Sequence, residues 1–274
     1  MPCFEGATGS VYYREWLIAE PRASVVFVHG VGEHSGLYER FAAELNAAGS
    51  CLWALDLPGH GHTDGERGVI ASIDGLDADV TRLATIAARQ VPAPVVLAGH
   101  SLGGIAAALN AARQPSRYAG LVLSGATLSD PPRDRGGDFA GRGDDEFDLA
   151  AGDLSADSEY LARLASDPLV FTGGVAMAGS LRRLLPPAWT ELAAALPGLS
   201  LPVLQVHGEM DRVSPLDLAR AWSAVLPRAR LITFPGARHD VLNDTVHRAV
   251  AAAITEFIVT VTSNPVYWSD QEPG

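Results

Sequence analysis

The sequence predicts an α/β fold, with a mostly parallel central sheet covered by helices on both faces and a small insertion over one end. Two observations predict it. Short β-rich apolar runs alternate with segments of helical period along most of the 274 residues. One stretch, about 129–153, breaks that alternation with Gly, Asp and Arg and few large apolar residues, which reads as an exposed loop. An apolar content of 47% suffices to bury a sizeable core in one domain. The formal net charge of -12 leaves no general basic field for nucleic acid or an anionic membrane surface, so neither partner is expected.

The elements follow in chain order. The N-terminus has no charged start leading into an apolar stretch, and nowhere do about 18 apolar residues run uninterrupted. A cytoplasmic protein without stable membrane insertion is expected. Strands are predicted over 24–28, 51–56, 95–98, 120–124, 203–207 and 230–234. Cys51 falls inside one of them as a buried thiol, and a disulfide with Cys3 is not expected. Leu37, Phe41 and Leu45 recur at helical spacing, as do Leu76, Val80, Leu83 and Ala87, and each set would bury one helix face on the sheet. A helical run over 105–113 precedes the insertion, and helical pattern resumes over 158–166 and 175–185 until Pro186-Pro187 stops it. A final helix is predicted over 241–261. Two core segments, 1–128 and 191–262, therefore flank a cap or lid insertion at 129–190, and 263–274 form a tail.

The strongest chemical signal is Gly99-His100-Ser101-Leu102-Gly103-Gly104, between a strand and a helical run. A serine on a sharp strand-to-helix turn has strained backbone angles, and small neighbours let the two elements pack closely. The turn also puts Ser101 at a helix N-terminus, where unpaired N–H groups favour negative charge. Alone, the motif leaves open the lesser alternative of a glycine-rich turn with a capping serine. A serine hydroxyl needs a base oriented by an acid, and both follow later strands: Asp211 in the loop after 203–207 and His239 in the loop after 230–234. Sites in open α/β sheets form outside the carboxyl ends of strands, so the three loops converge. Glu209 and Asp240 are competing acids, Asp240 being adjacent to the histidine and expected to point elsewhere. The oxyanion of acyl transfer needs two N–H donors; Leu102 is the natural first and Val31 the second, with Gly30 and Gly32 expected to supply unusual angles. His29, His34, His60 and His62 match no strong zinc spacing. Neither a dinucleotide fingerprint nor a P-loop occurs at these strand ends, so no metal and no cofactor are expected.

With these residues in place, the chain resembles the monoacylglycerol lipase-like (serine aminopeptidase S33-type) group of the α/β-hydrolase superfamily over most of residues 24–258. The resemblance rests on His29 to Tyr38, Asp56 to Gly65, the elbow Gly99 to Gly104, and His239 to Asp244, with Asp167-Pro168-Leu169-Val170 similar to a cap segment of that family. It implies the α/β-hydrolase fold, Ser101 as nucleophile, Asp211 and His239 as its partners, and Val31 and Leu102 as oxyanion donors. The polar stretch 129–153 departs from the apolar cap helix usual in the family, which favours shorter or more soluble esters. Leu181, Leu184, Leu185 and the Phe171 region would supply an apolar wall for a medium acyl chain, or ordinary packing.

The expected function is hydrolysis of carboxylic esters through an acyl-enzyme, with a small-molecule ester, monoacylglycerol among the candidates, as substrate. Amide, lactone or acyltransfer chemistry on the same triad remains open, as does a ligand-binding protein that has kept the fold. Dehalogenase and epoxide hydrolase chemistry are disfavoured because their elbows carry a carboxylate where this chain has Ser101.

Overall fold

The computed structural model describes residues 2–129 and 149–263. Eight strands form one sheet: β1 (Cys3–Gly6), β2 (Gly9–Trp16), β3 (Ala23–Val28), β4 (Ser50–Leu55), β5 (Val95–His100), β6 (Gly120–Ser124), β7 (Val203–Gly208) and β8 (Ala229–Phe234). Their order is β1-β2-β4-β3-β5-β6-β7-β8, with β1 and β2 antiparallel to their neighbours and the rest parallel. The inner strands are buried on both faces, as parallel strands flanked by helices must be. Val26, Val28, Trp53 and Leu97 face helices α2 (Ile73–Gln90) and α3 (Leu102–Arg113). Val25, Phe27, Leu52 and Val96 face α1 (Glu39–Ala47) and α8 (His247–Ser263). The edge hairpin β1–β2 has no counterpart in the sequence reading, because β1 is four residues long with only Phe4 buried. Asp79 on α2 holds its turn by accepting the Ala7 N–H at 3.0 Å.

Between β6 and β7 lie α4 (Ala151–Leu154), α5 (Ser158–Ser166) and α6 (Val175–Ala195), and α7 (Leu216–Val225) joins β7 to β8. Most of the expected loop, and the tail from 264 onward, lie outside the described residues. Three expectations need correction. The last residues of the loop form α4. The helix expected to stop before Pro186-Pro187 continues to Ala195. Both prolines lie on the exposed face, Thr190 Oγ1 donates to the Pro186 carbonyl at 2.9 Å, and Leu184, Leu185, Ala188, Trp189 and Leu192 are buried on either side of them. Burial of that apolar stripe outweighs the backbone bonds lost at the prolines. The last helix begins at His247 rather than 241. The Asp244 carboxylate accepts the N–H groups of Arg238, Thr245 and Ala156, and these side-chain bonds hold 241–246 in turns. Both cysteines are free, Cys3 exposed and Cys51 buried in β4.

Candidate active site

Ser101 stands between the end of β5 and the first turn of α3 with φ 52° and ψ -121°, the left-handed strain the motif predicts for a non-glycine residue. Two glycines make this turn possible. A Cβ on Gly99 would lie 2.2 Å from the Gly103 carbonyl oxygen, and one on Gly103 2.1 Å from the Val28 carbonyl oxygen. The loop after β3 needs its glycines differently than expected. Only Gly32 has positive φ, +79°, with the Phe171 carbonyl against it; Gly30 instead allows close approach to Ser101 and His100.

Val31, Ser101, Leu102, Ile105, Thr127, Leu181, Leu185 and Trp189 line one narrow, mainly apolar pocket. The predicted nucleophile and both predicted oxyanion donors thus meet in one place. Neither the Val31 nor the Leu102 N–H donates to another described residue, so both N–H groups are unspent. Of the four residues weighed as an acyl wall, Leu181 and Leu185 line the pocket. Leu184 packs into the core, and Phe171 stacks near His60 and Arg67. Trp189 closes the wall with its indole N–H donating to the Thr127 carbonyl at 2.7 Å.

His239 Nδ1 lies 2.9 Å from Asp211 Oδ2, both side chains being buried. Its Nε2 is buried with no hydrogen-bond partner, and no bond joins it to Ser101. Asp211 Oδ1 accepts the N–H groups of Val213 and Ser214 at 2.9 and 2.8 Å. Burial would raise the Asp211 carboxyl, but His239 and His207 overcome it and hold the group well below the usual carboxylate range. His207, which the sequence reading passed over as the end of a strand, donates from Nε2 to the Ser214 carbonyl at 2.8 Å and lies 3.2 Å from Asp211 Oδ2. A histidine four residues before the acid was the available signal. Of the competing acids, Glu209 accepts from Thr233 Oγ1, and Asp240 points away from His239 toward Tyr160 and Asn243.

The other histidines are structural in their bonding. His29 donates from Nδ1 to the Gly30 carbonyl and accepts the Leu57 N–H on Nε2; burial lowers its pKa to about 3. Burial, and then His29 beside it, lower His60 to about 3 as well. His34 Nε2 meets Asp167 Oδ2 at 2.9 Å, and Phe171 N–H donates to the Gly32 carbonyl at 3.0 Å, so the segment after α5 is bound to the loop that carries Val31. Among the described residues, Glu33, His100 and Asp240 bring potential ligand atoms within 4.8 Å of one another, and all three are buried. None of the histidines weighed as zinc ligands belongs to that group.

This sheet order, with a strained serine at the elbow after β5 and a bonded acid and histidine after β7 and β8, defines an α/β-hydrolase. Residues 19–246 match the serine aminopeptidase S33 family. The chain belongs to that family and is a monoacylglycerol lipase-like member of it. It is 32% identical over 272 aligned positions to a monoacylglycerol lipase of Mycolicibacterium smegmatis, covering 94% of this chain and 96% of that one. It is 33% identical over 227 positions to the monoglyceride lipase of Homo sapiens, covering 78% and 74%. The crystal structure of a Paleococcus ferrophilus monoacylglycerol lipase superposes with TM-score 0.76 at 26% identity, covering 92% of this chain and 99% of that one. No helix among the described residues is long and apolar enough to cross a membrane.

Proposed function

We propose that the protein cleaves carboxylic esters, monoacylglycerols among them, through an acyl-enzyme on Ser101. The observation that carries this reading is the pocket lined together by Ser101, Val31 and Leu102, the last two with N–H groups that donate to no other described residue. Ser101 Oγ attacks the ester carbonyl while His239 Nε2 takes its proton, and Asp211 holds Nδ1–H and balances the imidazolium. The carbonyl oxygen becomes an oxyanion held by the two N–H groups, each worth on the order of 3 kcal/mol. His239 returns the proton to the departing alcohol. Water, activated by the same histidine, then releases the acid. Residues 129–190 act as a cap over the core segments, and Ile105, Leu181, Leu185 and Trp189 receive the acyl chain. The relatives' names support this substrate class, and no feature of the chemistry requires a cofactor.

The test is hydrolysis of p-nitrophenyl esters from acetyl to palmitoyl, and of monoacylglycerols, by the wild type and Ser101→Ala. The substitution should lower kcat roughly a millionfold, and a fluorophosphonate should label Ser101 alone. Label on another residue, or full activity in Ser101→Ala, overturns the reading.

A further inference from the structure

Glu33 and Asp240 are buried acids that the mechanism does not use. Glu33 follows Val31 by two residues, and Asp240 follows His239 directly. The hydroxyl of Tyr160, on α5, lies between them, 2.8 Å from Asp240 Oδ2 and 3.4 Å from Glu33 Oε1. All three side chains are at most 5% exposed. One hydroxyl carries one proton, and the shorter contact commits it to Asp240, which also accepts Asn243 Nδ2–H at 2.9 Å on the same oxygen. Glu33 Oε2 is fully used as an acceptor, from Tyr38 O–H at 2.6 Å and Gly30 N–H at 2.8 Å. The remaining oxygen, Oε1, faces the Tyr160 hydroxyl oxygen with no hydrogen left between them unless Glu33 supplies it.

We infer that Glu33 is a neutral carboxylic acid whose proton is donated to the Tyr160 hydroxyl, which in turn donates to the Asp240 carboxylate, so that a hydrogen-bond relay through the cap ties the loop carrying Val31 to the loop carrying His239. Each hydrogen then has one acceptor, the Glu33 proton on the Tyr160 hydroxyl oxygen and the Tyr160 proton on Asp240 Oδ2. Two buried carboxylates this close cannot both stay ionised cheaply. Burial first and Asp240 among its neighbours raise Glu33 to about 7, against the pull of His100 and the bonds from Tyr38 and Gly30. His100, Tyr38, Tyr160 and Asp240 are the titratable groups that face it. Further bonds run the same way: the His239 and Asp240 N–H groups donate to the carbonyls of Asp153 and Leu154 on α4, at 3.3 and 2.8 Å. Tyr160 and Glu33 are thus positioning residues. They touch no substrate and act by fixing where the Val31 N–H and the imidazole sit. This role rests on the reading of Ser101, Val31 and His239 given above, whereas the protonation of Glu33 does not.

The protonation is read by nuclear magnetic resonance on wild-type protein labelled with 13C at the glutamate side-chain carboxyl. One buried glutamate resonance should keep the protonated shift at pH 6, where exposed glutamates are ionised, and vanish in Glu33→Gln. A Glu33 resonance at the ionised shift at pH 6 overturns the relay whatever the enzyme cleaves. The positioning role is read by kinetics on ester substrate with melting measured alongside. Tyr160→Phe should lower kcat about tenfold with KM within twofold and the protein still folded. Glu33→Ala should fall likewise, and Glu33→Gln, whose amide N–H donates as the acid does, should recover most of that loss. Wild-type kcat in folded Tyr160→Phe, or no recovery in Glu33→Gln, overturns the role. Loss of phosphonate labelling at Ser101 in the wild type instead marks failure of the proposed function.

Discussion

Asp211 illustrates how much of the proposed triad lies outside its three residues. Two backbone N–H groups and two histidines surround its carboxylate, and His207 also straps the Ser214 carbonyl that closes the same turn. Replacing His207 with Leu would leave that carbonyl buried without a partner and remove a donor from the flank of Asp211. Bonds to charged groups are worth about 2 kcal/mol, so kcat/KM should fall on the order of tenfold. His207→Gln, whose amide N–H can reach the same acceptors, should restore most of that loss; wild-type kcat/KM in a folded His207→Leu would refute this. At this scale Ser101, Asp211 and His239 could be proposed from the sequence because each lies in a turn or loop at the end of a strand. His207 was hidden inside a run that reads as strand. Glu33, Tyr160 and Asp240 were unreadable as a group, because 127 and 80 residues separate the bonded pairs and periodicity carries no such information.

The elements were legible where burial left a simple pattern. Parallel strands covered on both faces read as continuous apolar runs, so β3 to β7 stood out, and the half-buried edge strand β8 was read with them, whereas the short edge strand β1 and the antiparallel β2 were not. Helix α6 was truncated in the reading because proline chemistry was weighed without knowing which face the prolines occupy. That face is exposed, and the opposite one walls the pocket with Leu181, Leu185 and Trp189. Truncation of this wall should therefore be felt in specificity. Trp189→Ala should move the preferred p-nitrophenyl ester toward longer acyl chains and cost about 3–5 kcal/mol of stability as a cavity opens. An unchanged chain-length optimum in the folded variant would show that the acyl chain lies elsewhere. The elbow tolerates less. Gly103→Ala should fail to fold or melt far below the wild type, since its methyl would strike the Val28 backbone.

Across the whole molecule the buried acids respond to pH in opposite senses. Asp211 is depressed, so its contribution to stability is present above the unfolded carboxylate range near 4 and is lost as pH falls through its lower folded value. Glu33 is raised. Its native state keeps a proton that the unfolded chain gives up near 4.5, so stability declines as pH rises from there to about 7. Denaturant unfolding of the wild type should lose up to about 3 kcal/mol from this group between pH 5 and 8, and Glu33→Gln should flatten that slope. The insertion between β6 and β7 bears on the same loops. It meets the core through bonds from Phe171 N–H to Gly32, from His34 to Asp167, and from the His239 and Asp240 N–H groups to α4. These anchors mean that a whole cap cannot be exchanged for another without loss. A transplanted cap would leave the Val31 and His239 loops without their anchors, whereas exchanges restricted to the pocket-facing row of α6 leave every anchor in place. Diversification along this lineage should accumulate in that row first.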